Sequence, residues 1–106
     1  MKRISLRPYC GEILLCKNPD EFRRAYVRLT KREFPPGDAL GACTMIEHRS
    51  NRRKLVFLIH ASSPATRAHE FGHALLDLFK HIGSDPYEGN GEPFCYMLST
   101  LMEESR

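Results

Sequence analysis

The sequence predicts an α+β fold on three observations. Apolar residues recur at helical spacing in three segments, residues 19–32, residues 64–82 and a last one from residue 92. Two strand-like runs, residues 40–48 and 55–60, lie between the first and second of these. The chain has 106 residues, room for one small domain, 1–106, and not two. The expected order is an N-terminal helix, a small antiparallel sheet or hairpin, a central helix and a closing helix.

Residues 2–16 alternate weakly and then run apolar through Ile13, Leu14, Leu15 and Cys16, which suggests one or two short strands punctuated by Pro8 and Gly11. Asn18-Pro19-Asp20-Glu21 is a helix start: a capping side chain, proline at the first position, acids in the first turn. The helix is expected to bury Phe22, Ala25, Tyr26 and Leu29 and to face water with Arg23, Arg24 and Arg28, before Pro35-Pro36-Gly37-Asp38 stops it. In the first strand-like run, Leu40, Ala42, Thr44 and Ile46 share one side, and Cys43, Met45 and Glu47 the other. Leu55-Val56-Phe57-Leu58-Ile59-His60 is apolar on both faces, and the polar turn Arg49-Ser50-Asn51-Arg52-Arg53 joins the two as a hairpin.

The central helix has Ser63 as N-cap, Pro64 at its first position and Gly83 as its stop. Its buried stripe is expected to be Phe71, Ala74, Leu75, Leu78, Phe79 and Ile82. Residues 83–91, with three glycines and a proline, form a loop. Glu92-Pro93 opens the last helix, with Phe94, Met97, Leu98, Leu101 and Met102 as its core stripe. No repeat or low-complexity segment interrupts the chain.

Composition narrows the function classes. With 42% hydrophobic and 27% charged residues the chain has the make-up of a folded, soluble protein. No apolar run approaches the length of a membrane span, and Arg7-Pro8 follows too soon on Ile4 and Leu6 for a signal-peptide core, so a cytoplasmic location is expected. Cys10, Cys16, Cys43 and Cys95 form no CxxC pair, which excludes a zinc ribbon or thioredoxin-type redox site; reduced, mostly buried thiols are expected. The net charge of +3 includes arginine clusters at residues 23–32 and 49–54. Such clusters can meet nucleic acid, but no interleaved aromatics suggest base stacking, and a solvated face is the commoner use.

The chemistry lies in His69-Glu70-Phe71-Gly72-His73 on the central helix. Residues four apart share a helix face, so both imidazoles can turn to one metal ion. Glu70 sits about 100° round from His69, near enough to serve a metal-bound water without ligating. Zinc takes such ligands tetrahedrally, and a catalytic site keeps one position for water. A third protein ligand is expected among Asp77, His81, Asp85, Glu88 and Glu92. His81 is too far along the axis, Asp77 suits a hydrogen bond to a ligand imidazole better, and Asp85 and Glu88 lie in the loop. Glu92, on a helix that can fold back antiparallel onto the central one, is favoured.

His69-Glu70-Phe71-Gly72-His73 followed by a glutamate-led helix resembles the gluzincins, zinc metallopeptidases whose third ligand is a downstream glutamate. The segment Glu92-Pro93-Phe94-Cys95-Tyr96-Met97-Leu98 is also similar to one in small phage-encoded proteins with an HExxH helix, and a weaker likeness exists to SprT-like domains. Pro93 departs from the usual small helix former there. The resemblance covers about the last half of the chain. It implies a minimal zincin-like fold, a Zn2+ cofactor held by His69, His73 and Glu92, and hydrolysis of a protein or peptide substrate with Glu70 as base. It also implies that the substrate lies as an added strand, with residues 55–60 as the edge that receives it. The oxyanion needs a further donor. Tyr96, four residues after Glu92, is the first candidate, ahead of Tyr87, His60 and Arg67, though a buried Tyr96 ring is an equal expectation. Two rival readings are a zinc-holding protein that binds a partner without cutting it, and a protease docked on DNA by the arginine clusters. For a phage-encoded protein the compartment would be the host cytoplasm.

Overall fold

A computed structural model describes residues 1–9, 11–33, 41–48 and 54–106. Among these described residues, four strands and three α-helices follow the order β1 (Lys2–Ser5), β2 (Gly11–Cys16), α1 (Pro19–Thr30), β3 (Gly41–His48), β4 (Lys54–Ala61), α2 (Pro64–Ile82) and α3 (Glu92–Glu104). A 3₁₀ turn, Glu88–Gly91, leads into α3. The α+β class holds. Residues 34–40 and 49–53, with their proline stop and polar turn, lie outside the described residues, as does Cys10.

The sheet order is β1-β2-β4-β3. β1 and β3 pair antiparallel to their neighbours, and the hairpin of β3 with β4 forms as expected. The sheet is nevertheless mixed rather than antiparallel, because β2 and β4 run parallel, with Ile13 opposite Phe57 and Leu15 opposite Ile59. A parallel pair requires a crossover, and α1 lies within the connection that supplies it. The expectation that residues 55–60 form a sheet edge is corrected by the same topology. β4 sits between β2 and β3, as its apolar character on both faces demands; the outer strands are β1 and β3.

Side-chain alternation splits the core into two layers. Ile13, Leu55, Phe57 and Ile59 face α2 and α3 and pack with Phe71, Ala74, Leu75, Leu78 and Leu101. Leu14, Cys16, Val56 and Leu58 face α1 and meet Phe22 and Ala25, with Tyr26, Leu29 and Ile46 at the margin. The stripe expected on α1 is this one, and that on α3 is found with Leu101 buried and Phe94, Met97, Leu98 and Met102 partly buried against the same layer as α2, whereas Ile82, placed in the α2 stripe, is 37% exposed. It is the last residue of its helix, where the apolar layer has ended.

Candidate metal centre

Local chemistry fixes α2 at both ends. The Ser63 hydroxyl accepts the Thr66 backbone N–H at 3.1 Å, and Pro64 occupies the first turn. Gly83 closes the helix at φ 74, donating to the Lys80 carbonyl while Ser84 donates to that of Phe79, the two bonds of a Schellman motif. Between these ends Phe71, Ala74, Leu75 and Leu78 face the sheet. That choice of buried face sends His69 and His73 to solvent and leaves Glu70 only 7% exposed.

The two imidazoles converge. Their Nε2 atoms lie 3.1 Å apart, with ring centroids separated by 4.7 Å and planes at 81°. Two nitrogens bound tetrahedrally to one zinc at about 2.0–2.1 Å would lie about 3.3–3.4 Å apart. The pair therefore fits a shared ion with almost no rearrangement. Glu70 Oε1 is 3.9 Å from His69 Nε2, beside the pair. The Cys43 thiol of β3 lies within the field of Glu70 and Asp77. Burial first, then those two carboxylates, push its pKa up to about 12, so it is a neutral thiol.

The other expected site residues are placed differently. Glu92 is exposed at the first position of α3, with no side-chain cap before it. Two residues on, Phe94 packs edge-on against Phe79 with ring centroids 5.7 Å apart. Phe79 is six residues past His73, about 9 Å along the helix axis. Glu92 thus stands toward the C-terminal end of α2, away from the imidazole pair. Among the described residues no three His, Cys, Asp or Glu side chains are gathered as a metal site. Asp85 and Glu88 are exposed between α2 and α3, and His81 is exposed in the last turn of α2. Asp77, one turn beyond His73, is exposed too.

Tyr96 is 70% exposed and Tyr87 84%, so the buried ring considered for Tyr96 is not found. His60 points away: it packs edge-on against Phe22 of α1, centroids 5.0 Å apart, on the sheet face opposite Phe57 and Ile59. Cys95 is exposed rather than part of the core, whereas Cys16 is buried. The residue missed by sequence reasoning is Cys43, taken there only as a small buried hydrophobe. Its position under the acidic side of α2 follows from strand alternation, but only once the strand order is known.

No helix among the described residues is long and apolar enough to cross a membrane. Comparison with protein-family models, curated proteins and solved structures returns no match.

Proposed function

We propose that the protein is a zinc-dependent metallopeptidase that cleaves peptide bonds in a protein or peptide substrate in the cytoplasm. The observation that carries this reading is the 3.1 Å convergence of His69 and His73 Nε2 beside the buried Glu70 carboxylate. His69 and His73 would hold the ion. Glu92 remains the proposed third protein ligand, and serving as one asks the first turn of α3 to move toward the middle of α2. When bound, zinc supplies Lewis-acid polarisation.

Glu70 does the proton work. Its carboxylate takes a proton from the attacking water as the oxygen bonds to the carbonyl carbon, and passes it to the amide nitrogen as the C–N bond breaks. Burial favours this by keeping competing solvent off the base. Tyr96, whose phenol is exposed on α3, is the proposed donor to the developing oxyanion. The strand offered to an extended substrate is β3, which packs beside α2 and, among the described residues, pairs only with β4. It takes the role first expected of residues 55–60.

Metal analysis and cleavage of a quenched fluorescent peptide library test the reading together. The wild type should hold one zinc per chain. Glu70→Gln should keep the zinc and lose cleavage by about 10²–10⁴-fold, the usual worth of a positioned base. Glu92→Ala should weaken metal retention. Wild-type protein without stoichiometric zinc overturns the proposal. Zinc binding with no cleavage by the wild type selects the rival reading, a zinc-holding partner binder.

A further inference from the structure

A pocket of about 400 Å³ opens at the carboxyl ends of the parallel strands. Leu15, Cys16 and Lys17 line it from the end of β2, Ala61 from the end of β4, Met1 and Lys2 from the start of the chain and β1, and Arg67 from α2. In open α/β sheets, crevices at the carboxyl ends of parallel strands are ligand sites, and the β2–β4 pair makes one such end here. Arg67 precedes His69 by two residues and His73 by six, so it projects about 200° and 240° round the helix from them. The pocket is thus on the other flank of α2 from the imidazole pair, and nothing in the peptidase reading uses it.

Its charge is unbalanced. The Nε of Arg67 is buried and has no hydrogen-bond partner. Among the described residues no carboxylate forms an ion pair with Arg67 or with the Lys17 ammonium. Glu21, whose carboxylate acts on Lys17, is taken up at the pocket wall: its Oε1 accepts the Lys17 backbone N–H at 3.2 Å and pairs with the Met1 amine at 3.1 Å, leaving the Arg67 and Lys17 charges without an ion pair of their own among the described residues. A guanidinium is always charged and presents its N–H donors in a plane that matches a carboxylate, so the part of Arg67 that lines the pocket can meet one. Of the remaining lining, Met1, Leu15, Cys16 and Ala61 are apolar side chains, and the Lys2 ammonium donates to the Arg106 carbonyl at 3.2 Å.

We infer that this pocket binds a small organic acid. The carboxylate sits against the Arg67 guanidinium with Lys17 as second cation, and a short aliphatic body lies against Met1, Leu15, Cys16 and Ala61. A volume of this size suits such a ligand better than a bare inorganic ion, which would leave the apolar wall uncovered.

Calorimetric titration and thermal melting with butyrate test the assignment, with chloride at matched ionic strength and butanol as controls. Butyrate should bind saturably and raise the melting temperature, and butanol should not. Arg67→Gln should weaken butyrate binding at least tenfold, and Lys17→Gln, at an exposed position, severalfold. Should Arg67→Gln fail to fold by circular dichroism, the Lys17→Gln comparison decides the matter alone. A butyrate response no larger than that of chloride, or one unchanged in the folded variants, overturns the inference, as does equally tight binding of inorganic phosphate. Zinc and cleavage do not enter these readouts, so failure here is distinct from failure of the peptidase reading.

Discussion

Glu70 and His69 are neighbours in sequence with opposite exposures, 10% and 67% for their side chains, because one residue turns the helix by about 100° across the boundary of the buried face. His60 shows what burial does to an ionisable ring. Packed against Phe22, its imidazole is held below the ordinary 6.5, with burial as the main cause and the Glu70 carboxylate partly opposing it. The sign follows from linkage. As pH falls through 6.5 the unfolded chain takes up this proton first, so stability drops from there down to the lower folded value and is unaffected above 6.5. His60→Gln should therefore lose less melting temperature than wild type between pH about 7.5 and about 5.5. Parallel curves for the two proteins would show that the ring carries no burial cost. At this scale the sequence was informative where chemistry is local. Two imidazoles one turn apart and a carboxylate between them require only a helix, so His69, Glu70 and His73 could be read directly. Glu92 could not be read in the same way, since its distance from the pair depends on where Phe94 docks on Phe79, a tertiary contact.

The helices announced their ends. Asn18 accepts the Glu21 N–H at 2.8 Å, Ser63 caps α2 and Gly83 terminates it, each a side-chain or backbone requirement of the first or last turn. Strand order was harder, because pairing partners are distant in sequence. Yet part of the signal was present: Ile13-Leu14-Leu15-Cys16 and residues 55–60 are both continuous apolar runs, the mark of strands covered on two faces, and such strands belong at the centre of a sheet. Reading residues 55–60 as a hairpin edge overlooked that meaning. Within α2 one residue works against its element. Gly72 lies mid-helix, where glycine costs about 0.5–1 kcal/mol relative to alanine, and a Cβ there meets nothing within 4 Å. Gly72→Ala should raise the melting temperature by a few degrees and leave zinc retention intact. A fall in melting temperature would show that the position is tighter than its surroundings indicate.

On the scale of the whole molecule, the two core layers share one sheet, and β4 belongs to both. Leu55, Phe57 and Ile59 serve the α2–α3 layer, Val56 and Leu58 the α1 layer, and β2 and β3 satisfy the backbone on either side. Opening β4 therefore breaks both layers and two ladders at once, which makes it comparable to global unfolding. β3 contributes less: among the described residues it has one strand neighbour, and Cys43, Thr44 and Ile46 are each only half-buried. Local opening should cost correspondingly little there. Hydrogen exchange read by mass spectrometry on peptides covering residues 55–60 and 41–48 should find the outer strand faster by about 10–100-fold. Equal rates would mean that the sheet opens as one unit and that no strand is separately available. The difference bears on function, because a strand that receives a substrate by backbone pairing must present free N–H and C=O groups without unfolding the helix that holds the imidazoles. β3, pairing only with β4 among the described residues and packed beside α2, presents that edge next to the imidazole pair, and slow opening of β4 keeps the helix in place while the edge is used.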